Sequence, residues 1–383
     1  MKRICLLLLV VTAFLFATNS LTAGEPKVGG VLFANWKMHL NDQRKNPYDD
    51  QGQGKNFNSF DITRARLILD QQFGEKFSAN LMIDIIPRDS MDEFGLQYRL
   101  RSAYIQGDKL IKYTTMRFGM QSLLWFDYVE KAWGLRYIDA VSLDKLGYLE
   151  RADFGLSIIG DCPSNYGTLA LQIVNGAGFT HHEMNKNKDI IIFAAGYPFP
   201  KNPDFAETGM WAQYYKGWPN NAYPDSMATD FRKNTKKDRM QVAGVVKYRK
   251  WVTGVVEYFQ TWDKGDVATA ITKDNQEKAK GFSLMAKVNV ATAETWLSKV
   301  YLFGKYEWID KHAQMAKGLY PFESQDGDAK FLLIGTGYSP VEGYELAFGF
   351  VRETVQVPSP AVNPTEMKED EKNSIQINMT AKF

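Results

Sequence analysis

Along most of this chain, apolar and polar residues alternate with a period of two. From Phe77 to Ile86, the residues Phe77, Ala79, Leu81, Ile83 and Ile85 share one face, and Ser78, Asn80 and Asp84 the other. Near the start, Leu32, Ala34, Trp36, Met38 and Leu40 oppose Asn35, Lys37 and His39. Later, Phe282, Leu284, Ala286, Val288 and Val290 alternate with Ser283, Lys287 and Asn289. Successive strand side chains point to opposite faces, so each stretch predicts a strand with one apolar face. With 45% apolar residues, five chosen alternate positions are all apolar by chance about 2% of the time, so repetition carries the argument.

Sixteen such segments are predicted, near 31–40, 58–73, 77–86, 96–106, 113–121, 152–160, 166–175 and 189–199, then 209–217, 239–248, 252–262, 280–290, 299–308, 330–339, 343–353 and 374–383. The segment at 209–217 is the weakest, which leaves fourteen or eighteen strands as alternatives. An even count of strands about ten residues long fits a transmembrane antiparallel up-and-down β-barrel, all-β in class, better than a soluble sandwich, whose strands are shorter. Tight turns are predicted at Gly74-Glu-Lys-Phe77 and Arg249-Lys-Trp251, and long polar loops over Pro200 to Arg239 and Val357 to Asn373.

The N-terminus adds a compartment. Lys2 and Arg3 precede an apolar run from Ile4 to Ala17, then a polar stretch ends at Ala23 before Gly24. That layout predicts a secretory signal peptide over 1–23 and one barrel domain over 24–383. The apolar run is shorter than the ~20 residues a spanning helix needs, and no later stretch approaches that length. The aromatic load, with 24 Phe, 19 Tyr and 9 Trp, suits the girdles of an outer-membrane barrel. The predicted location is therefore the outer membrane of a Gram-negative bacterium, with its lipid as one partner.

Residues 1–23 hold two of the 46 basic residues and none of the 44 acidic ones, so the remainder is neutral. Neutrality argues against nucleic acid as a partner. Cys162 is the single cysteine after the predicted leader, which excludes an intramolecular disulfide there. No cofactor is predicted. Enzymatic motifs are poor: no Gly-x-Ser-x-Gly elbow occurs, Gly335-Thr-Gly337 is an isolated fragment, and His181-His182 reads as an exposed loop pair. The final segment, Ser374 to Phe383, alternates cleanly and closes on an aromatic residue. It looks like the C-terminal signal by which such barrels reach the barrel-assembly machinery.

Several stretches resemble the phosphate-selective porins, a family of 16-stranded outer-membrane barrels. Phe60-Asp-Ile-Thr-Arg-Ala-Arg-Leu67 is similar to that family's early arginine-rich strand, with Thr63 where the family often has another arginine. Arg117-Phe-Gly-Met-Gln121 is similar to its Arg-x-Gly-Gln strand, with the glutamine displaced by one. Ala152-Asp-Phe-Gly-Leu-Ser157 and Asn175-Gly-Ala-Gly178 match its next two strands. The likeness covers about residues 57–180 and the C-terminus. It implies a passive diffusion channel, with a homotrimer among the expected assemblies. It also implies that Leu123 to Arg151, long for a loop and rich in aromatic residues, folds into the barrel; an ordinary surface loop is the alternative.

Strand parity places Arg64, Arg66, Arg99, Arg101 and Arg117 on the inner wall, with Lys287 and Lys305 adding to them from later strands. Tyr98, Leu100, Tyr104, Met116, Phe118 and Met120 are expected to face outward. Rings of Arg favour anions in pores. Inward-facing acids, namely Asp61, Asp84, Glu257, Glu307 and Glu345, offset that bias. A weak anion preference, no preference and a dedicated phosphate site all remain open. The rival to a channel is a non-conducting structural barrel, or a sleeve around a partner such as an electron-transfer cytochrome. No Cys-x-x-Cys-His occurs, so any haem would come from that partner.

Overall fold

A strand with one apolar face and one polar face can bury neither its backbone groups nor its apolar side chains alone. Sixteen of them solve both problems here by closing into a ring. In the computed structural model, which describes residues 24–41, 54–87, 96–220, 235–264, 276–291, 295–310, 328–359 and 363–383, every strand is antiparallel to its sequence neighbours. The strands are β1 (Lys27–His39), β2 (Asn58–Phe73), β3 (Phe77–Pro87), β4 (Leu96–Asp108), β5 (Thr114–Ser122), β6 (Ala152–Asp161), β7 (Gly167–Val174) and β8 (Asp189–Gly196). They continue as β9 (Gly209–Gly217), β10 (Lys236–Tyr248), β11 (Val252–Lys264), β12 (Gln276–Asn289), β13 (Val300–Asp310), β14 (Ala329–Val341), β15 (Tyr344–Ser359) and β16 (Asn363–Lys382).

The ring shuts where β1 pairs with β16, from Val31 opposite Lys382 to His39 opposite Ser374. Phe383 extends the seam: its carbonyl accepts from the Gly30 N–H at 2.8 Å, and its N–H donates to the Gly30 carbonyl at 3.1 Å. All sixteen predicted segments are strands, including 209–217, whose nine residues alternate without a break between buried and exposed. The predicted leader at 1–23 lies outside the described residues. The connections at the end that carries the start of β1 and the finish of β16 are mostly tight, as at 74–76, 249–251 and 342–343. Those at the opposite end are mostly longer. Val357 to Asn373 is not a loop: β15 runs to Ser359 and β16 begins at Asn363. Continuous pairing satisfies that polar backbone better than a free loop would.

Two bulges reset the alternation. On β2 an extra residue, Thr63, falls where the register with β1 slips between Phe33 and Ala34. Phe60 and Ile62 therefore face out before it, and Leu67 and Leu69 after it. On β4 the extra residue is Arg101, opposite the slip between Met82 and Ile83. Beyond it the even positions turn inward, so Tyr104, expected outside, lies inside under the Arg117 guanidinium (5.3 Å to the ring), and Ile105 is outside. A one-residue insertion flips every later side chain, which strict alternation cannot anticipate.

Gly119 on β5 has φ near +131°, and a Cβ there would sit 2.3 Å from the Ala103 carbonyl oxygen and 2.8 Å from the Tyr104 Cα. Both are backbone atoms of the adjacent strand, so neither can yield cheaply. Gly119→Val is expected to destabilise the barrel by about 1–3 kcal/mol. The shift should appear as a lower temperature at which the compact band is lost in a heat-modifiability gel, with a control substitution at the exposed Ile111 leaving it unchanged.

Candidate functional site: the lumen and its plug

The β5–β6 connection does not stay at the rim. Residues 123–151 enter the barrel and cross it, carrying helix α1 (Leu124–Trp133) and the short helix α2 (Ser142–Lys145). Leu124, Trp125, Phe126, Val129 and Trp133 form one buried face of α1, at the spacing of a 3.6-residue repeat. Gly134 ends the helix in the left-handed conformation, its N–H donating to the Glu130 carbonyl at 2.8 Å. The barrel wall caps the other end: Gln172 Oε1 accepts from the Leu124 N–H at 3.1 Å. That glutamine is held by Ser157 (2.9 Å), and Ser157 donates to Gln121 Oε1 (2.6 Å), so β5, β6 and β7 together fix where the segment enters. The Leu123 N–H donates to the Arg151 carbonyl at 3.0 Å and closes its neck.

The far wall is built to receive it. Many inward positions on β8–β15 are apolar and buried, among them Ile191, Phe193, Phe259, Met285, Phe331 and Leu333, interleaved with buried polar ones such as Gln213, Gln241 and Ser283. Together with the plug's own side chains they make one hydrophobic core inside the barrel. Tyr128 stacks at 4.6 Å on Phe193, and Tyr137 lies 6.2 Å from Phe33 of β1. Polar anchors fix the register of this contact. Trp125 Nε1 donates to Glu257 Oε1 on β11 at 2.8 Å. The Tyr137 and Tyr301 hydroxyls lie 2.6 Å apart, and Tyr301 donates onward to Glu345 at 2.8 Å. Arg239 donates to the Tyr148 carbonyl at 2.8 Å, and Ser142 donates to Glu307.

Lys305 is the centre of this docking. Its ammonium is fully buried, 2.6 Å from Asp139 on the plug and 2.7 Å from Glu307 on its own strand, while Lys145 approaches Glu307 at 3.6 Å. Lys305 therefore does not add an exposed charge to the lumen, contrary to the expectation from parity: its charge is used up in the anchor. Lys287 stands over the Tyr301 ring at 3.9 Å, with Glu345 at 3.9 Å.

The plug's other side is charged and faces β2–β5. Arg151 pairs with Glu130 and with Asp144 (2.6 Å), and Arg136 reaches Asp144 at 2.8 Å and Glu130 at 3.1 Å. On the wall, Arg66 binds Asp84 at 2.7 Å and Arg64 approaches the same carboxylate at 3.9 Å. Arg101 is buried, stacked 4.9 Å from Phe179, with one guanidinium nitrogen 3.4 Å from the Arg151 carbonyl. Arg99 donates to Gln97 at 2.9 Å, and Arg117 donates to Gln106 at 2.7 Å with Asp127 of the plug 3.9 Å away. Among the described residues, Arg64 Nη1, Arg66 Nη2 and Arg101 Nη1 are buried without a hydrogen-bond acceptor. Below Arg117, toward the end carrying the termini, a cavity of about 600 Å³ opens between α1 and the wall, lined by Asp127, Tyr128, Lys131, Tyr197 and Glu207.

Sequence parity located the five arginines but none of their plug partners. Glu130, Arg136, Asp144 and Arg151 sit in a stretch without strand periodicity, and its one local signal was the amphipathic spacing over 125–133. Among the described residues, no group of three or more His, Cys, Asp or Glu is placed to hold a metal ion, and no helix is long and apolar enough to cross a membrane.

No protein-family model and no curated protein matches the chain. Solved structures do. The outer membrane channel DcaP of Acinetobacter baumannii superposes with a TM-score of 0.64 at 9% identity, covering 94% of this chain and 97% of that one. The anion-selective porin from Comamonas acidovorans gives 0.59 at 11% identity, over 94% and 100%. OmpT of Vibrio cholerae gives 0.58 at 12%, over 95% and 100%. At these identities the likeness establishes the fold: a 16-stranded, closed antiparallel barrel of the porin type.

Two outcomes follow from the Lys305 anchor. Lys305→Met leaves Asp139 and Glu307 to share Lys145, 3.5 and 3.6 Å away, as their remaining cation and is expected to cost at most about 3–5 kcal/mol in plug docking. Hydrogen exchange of 135–146 should accelerate sharply while the barrel strands stay protected. The second concerns pH. Burial pushes the Asp139 carboxyl up, but Lys305 and Lys145 outweigh it and hold it below the usual range. Arg151 and Arg136 do the same for Asp144. A lowered folded pKa gives stability that is present above the unfolded value and lost as pH falls through the folded one. These two acids should therefore cause no loss of plug protection from neutral pH to about 4 and a fall only below that. A decline that begins near pH 6 would contradict the assignment.

Proposed function

We propose that this chain is an outer-membrane channel for small hydrophilic solutes with a weak preference for anions. It is a passive pore without turnover chemistry, whose route runs between the β2–β5 wall and the charged side of the plug. The observation that carries the anion preference is the set of guanidinium N–H groups on Arg64, Arg66 and Arg101 that face this contact without an acceptor. A buried donor gains most from an anionic acceptor, and guanidinium forks suit phosphate and carboxylate oxygens. The acids Asp84, Glu130 and Asp144 temper the field, so the bias is modest. The apolar outward faces and the aromatic side chains at both ends, Tyr98 and Tyr214 at one and Trp251 and Trp296 at the other, support a membrane-spanning barrel. Short turns then face the periplasm, a leader over 1–23 directs export, and the terminal strand ending at Phe383 serves the assembly machinery.

A barrel that does not conduct is the second reading, favoured by how extensively the plug docks on β8–β15. A sleeve around a separate protein, such as a cytochrome, would require residues 123–151 to leave the lumen, because they occupy its centre.

Single-channel recording in a planar bilayer under a tenfold KCl gradient tests the proposal. Discrete steps are expected, with a reversal potential displaced toward chloride, and Arg99→Ala with Arg101→Ala should shrink that displacement. The preference should fade near 1 M salt, where the screening length is ~3 Å. Steps with no displacement would remove the anion preference, and silence from a folded barrel would favour the second reading. Trp125→Ala, which removes a fully buried side chain and its bond to Glu257, should loosen the plug by about 3–5 kcal/mol and raise the unitary conductance.

A further inference from the structure

At the end opposite the termini the outer surface of the barrel is unevenly charged: β14–β16 carry the ion pairs Lys330–Glu369 and Arg352–Glu371, whereas β9–β12 carry mostly lysines. On β1–β8 the outward positions near the end opposite the termini are uncharged: Phe60, Tyr98, Met120, Phe154 and Ile190. On β9–β12 the same level carries Lys216, Lys236, Lys264, Lys278 and Lys280, all with outward parity, set against the buried inward positions Tyr215, Arg239, Thr261 and Ala279. Lys236 and Lys264 are directly opposite in register, as are Trp262 and Lys278. Like charges facing each other across a strand pair repel. Among the described residues, Lys236 pairs with Asp238 at 3.1 Å, Lys216 lies directly across from the same Asp238 in register, and Lys280 pairs with Asp310 at 3.5 Å, which leaves Lys264 and Lys278 without an ion pair. Two of these ammonium groups also lie over indole rings: Lys236 is 5.6 Å from Trp262, and Lys280 is 5.9 Å from Trp308.

We infer that this lysine arc binds the phosphorylated sugar headgroup of an outer-leaflet glycolipid. The inference rests on the reading above that the barrel spans the outer membrane with its short turns inward, which puts the arc at the outer-leaflet headgroup level. Tryptophans at that level anchor in the interface and fix the height of the strands. Ammonium groups reaching outward from the lipid-facing wall at the same height meet headgroups rather than the lumen, and their long stems let them extend to phosphate oxygens. A surplus of ammonium groups in adjacent positions matches a ligand carrying more than one phosphate. The lumen is not involved, because the arc and the arginine wall point to opposite faces of the sheet.

The test uses the full barrel in detergent, titrated with diphosphorylated lipid A and with its dephosphorylated form, and followed by native mass spectrometry. Wild type is expected to retain the diphosphorylated form selectively. The variant Lys236→Gln, Lys264→Gln, Lys278→Gln should lose at least about tenfold in affinity, with heat modifiability showing that it folds. Equal retention by variant and wild type, or of both lipid forms, overturns the inference. Displacement of the lipid by inorganic phosphate alone would also overturn it, by assigning the arc to free phosphate. Unitary conductance of the variant is expected to equal that of wild type, so a barrel that binds lipid A yet never conducts sinks the channel reading and leaves this one standing.

Discussion

The closing of β1 onto β16 is the constraint from which the rest follows. A strand with an apolar outer face cannot leave an edge of unpaired N–H and C=O groups in a medium that offers no hydrogen bonds, so the sheet must return to its own beginning. The pairing from Val31–Lys382 to His39–Ser374, continued by Phe383 on Gly30, does this. Once the ring is closed, its outer face is set by what surrounds it, and its inner face must be either wetted or filled.

This chain does both, on different sides. Against β8–β15 the interior is filled: α1 and the stretch to Leu149 supply aromatic and aliphatic side chains to the apolar positions of that wall. Against β2–β5 it stays polar, with arginines on the wall and paired charges on the plug. The amphipathicity of residues 123–151 is what divides the lumen. Glu257, Lys305 and Glu307 are buried ionisable groups on the filled side, and each is matched to a donor or acceptor on the plug. Unmatched, they would oppose docking; matched, they fix one position of the segment among the many that apolar contact alone would allow.

The same division explains the two roles played by cations. Lys305, at the centre of the filled side, is an anchor with no exposed charge, whereas Arg64, Arg66 and Arg101 face the polar contact with donors to spare. The lysines on the outer face of β9–β12 meet neither the plug nor the arginine wall. Residue type alone says little about which role a cation plays; the face it occupies and the groups opposite decide.

Much of the fold was legible in the chain itself. A side-chain period of two, repeated along most of the sixteen segments, specifies strands with an inner and an outer face, and it is a local property that needs no partner to be read. The inward direction of the five arginines follows from the same parity. Tyr104 shows where parity ends: the extra residue at Arg101 is visible only in the pairing of β3 with β4. Strands such as β8, Asp189-Ile-Ile-Ile-Phe-Ala-Ala-Gly196, are apolar on both faces, so their sequence says that the inner face is dry without saying what covers it. That was decided by tertiary structure alone. Trp125 and Glu257, Tyr137 and Tyr301, and Asp139 and Lys305 lie more than a hundred residues apart, and they meet because the closed ring brings its far wall within reach of one long connection.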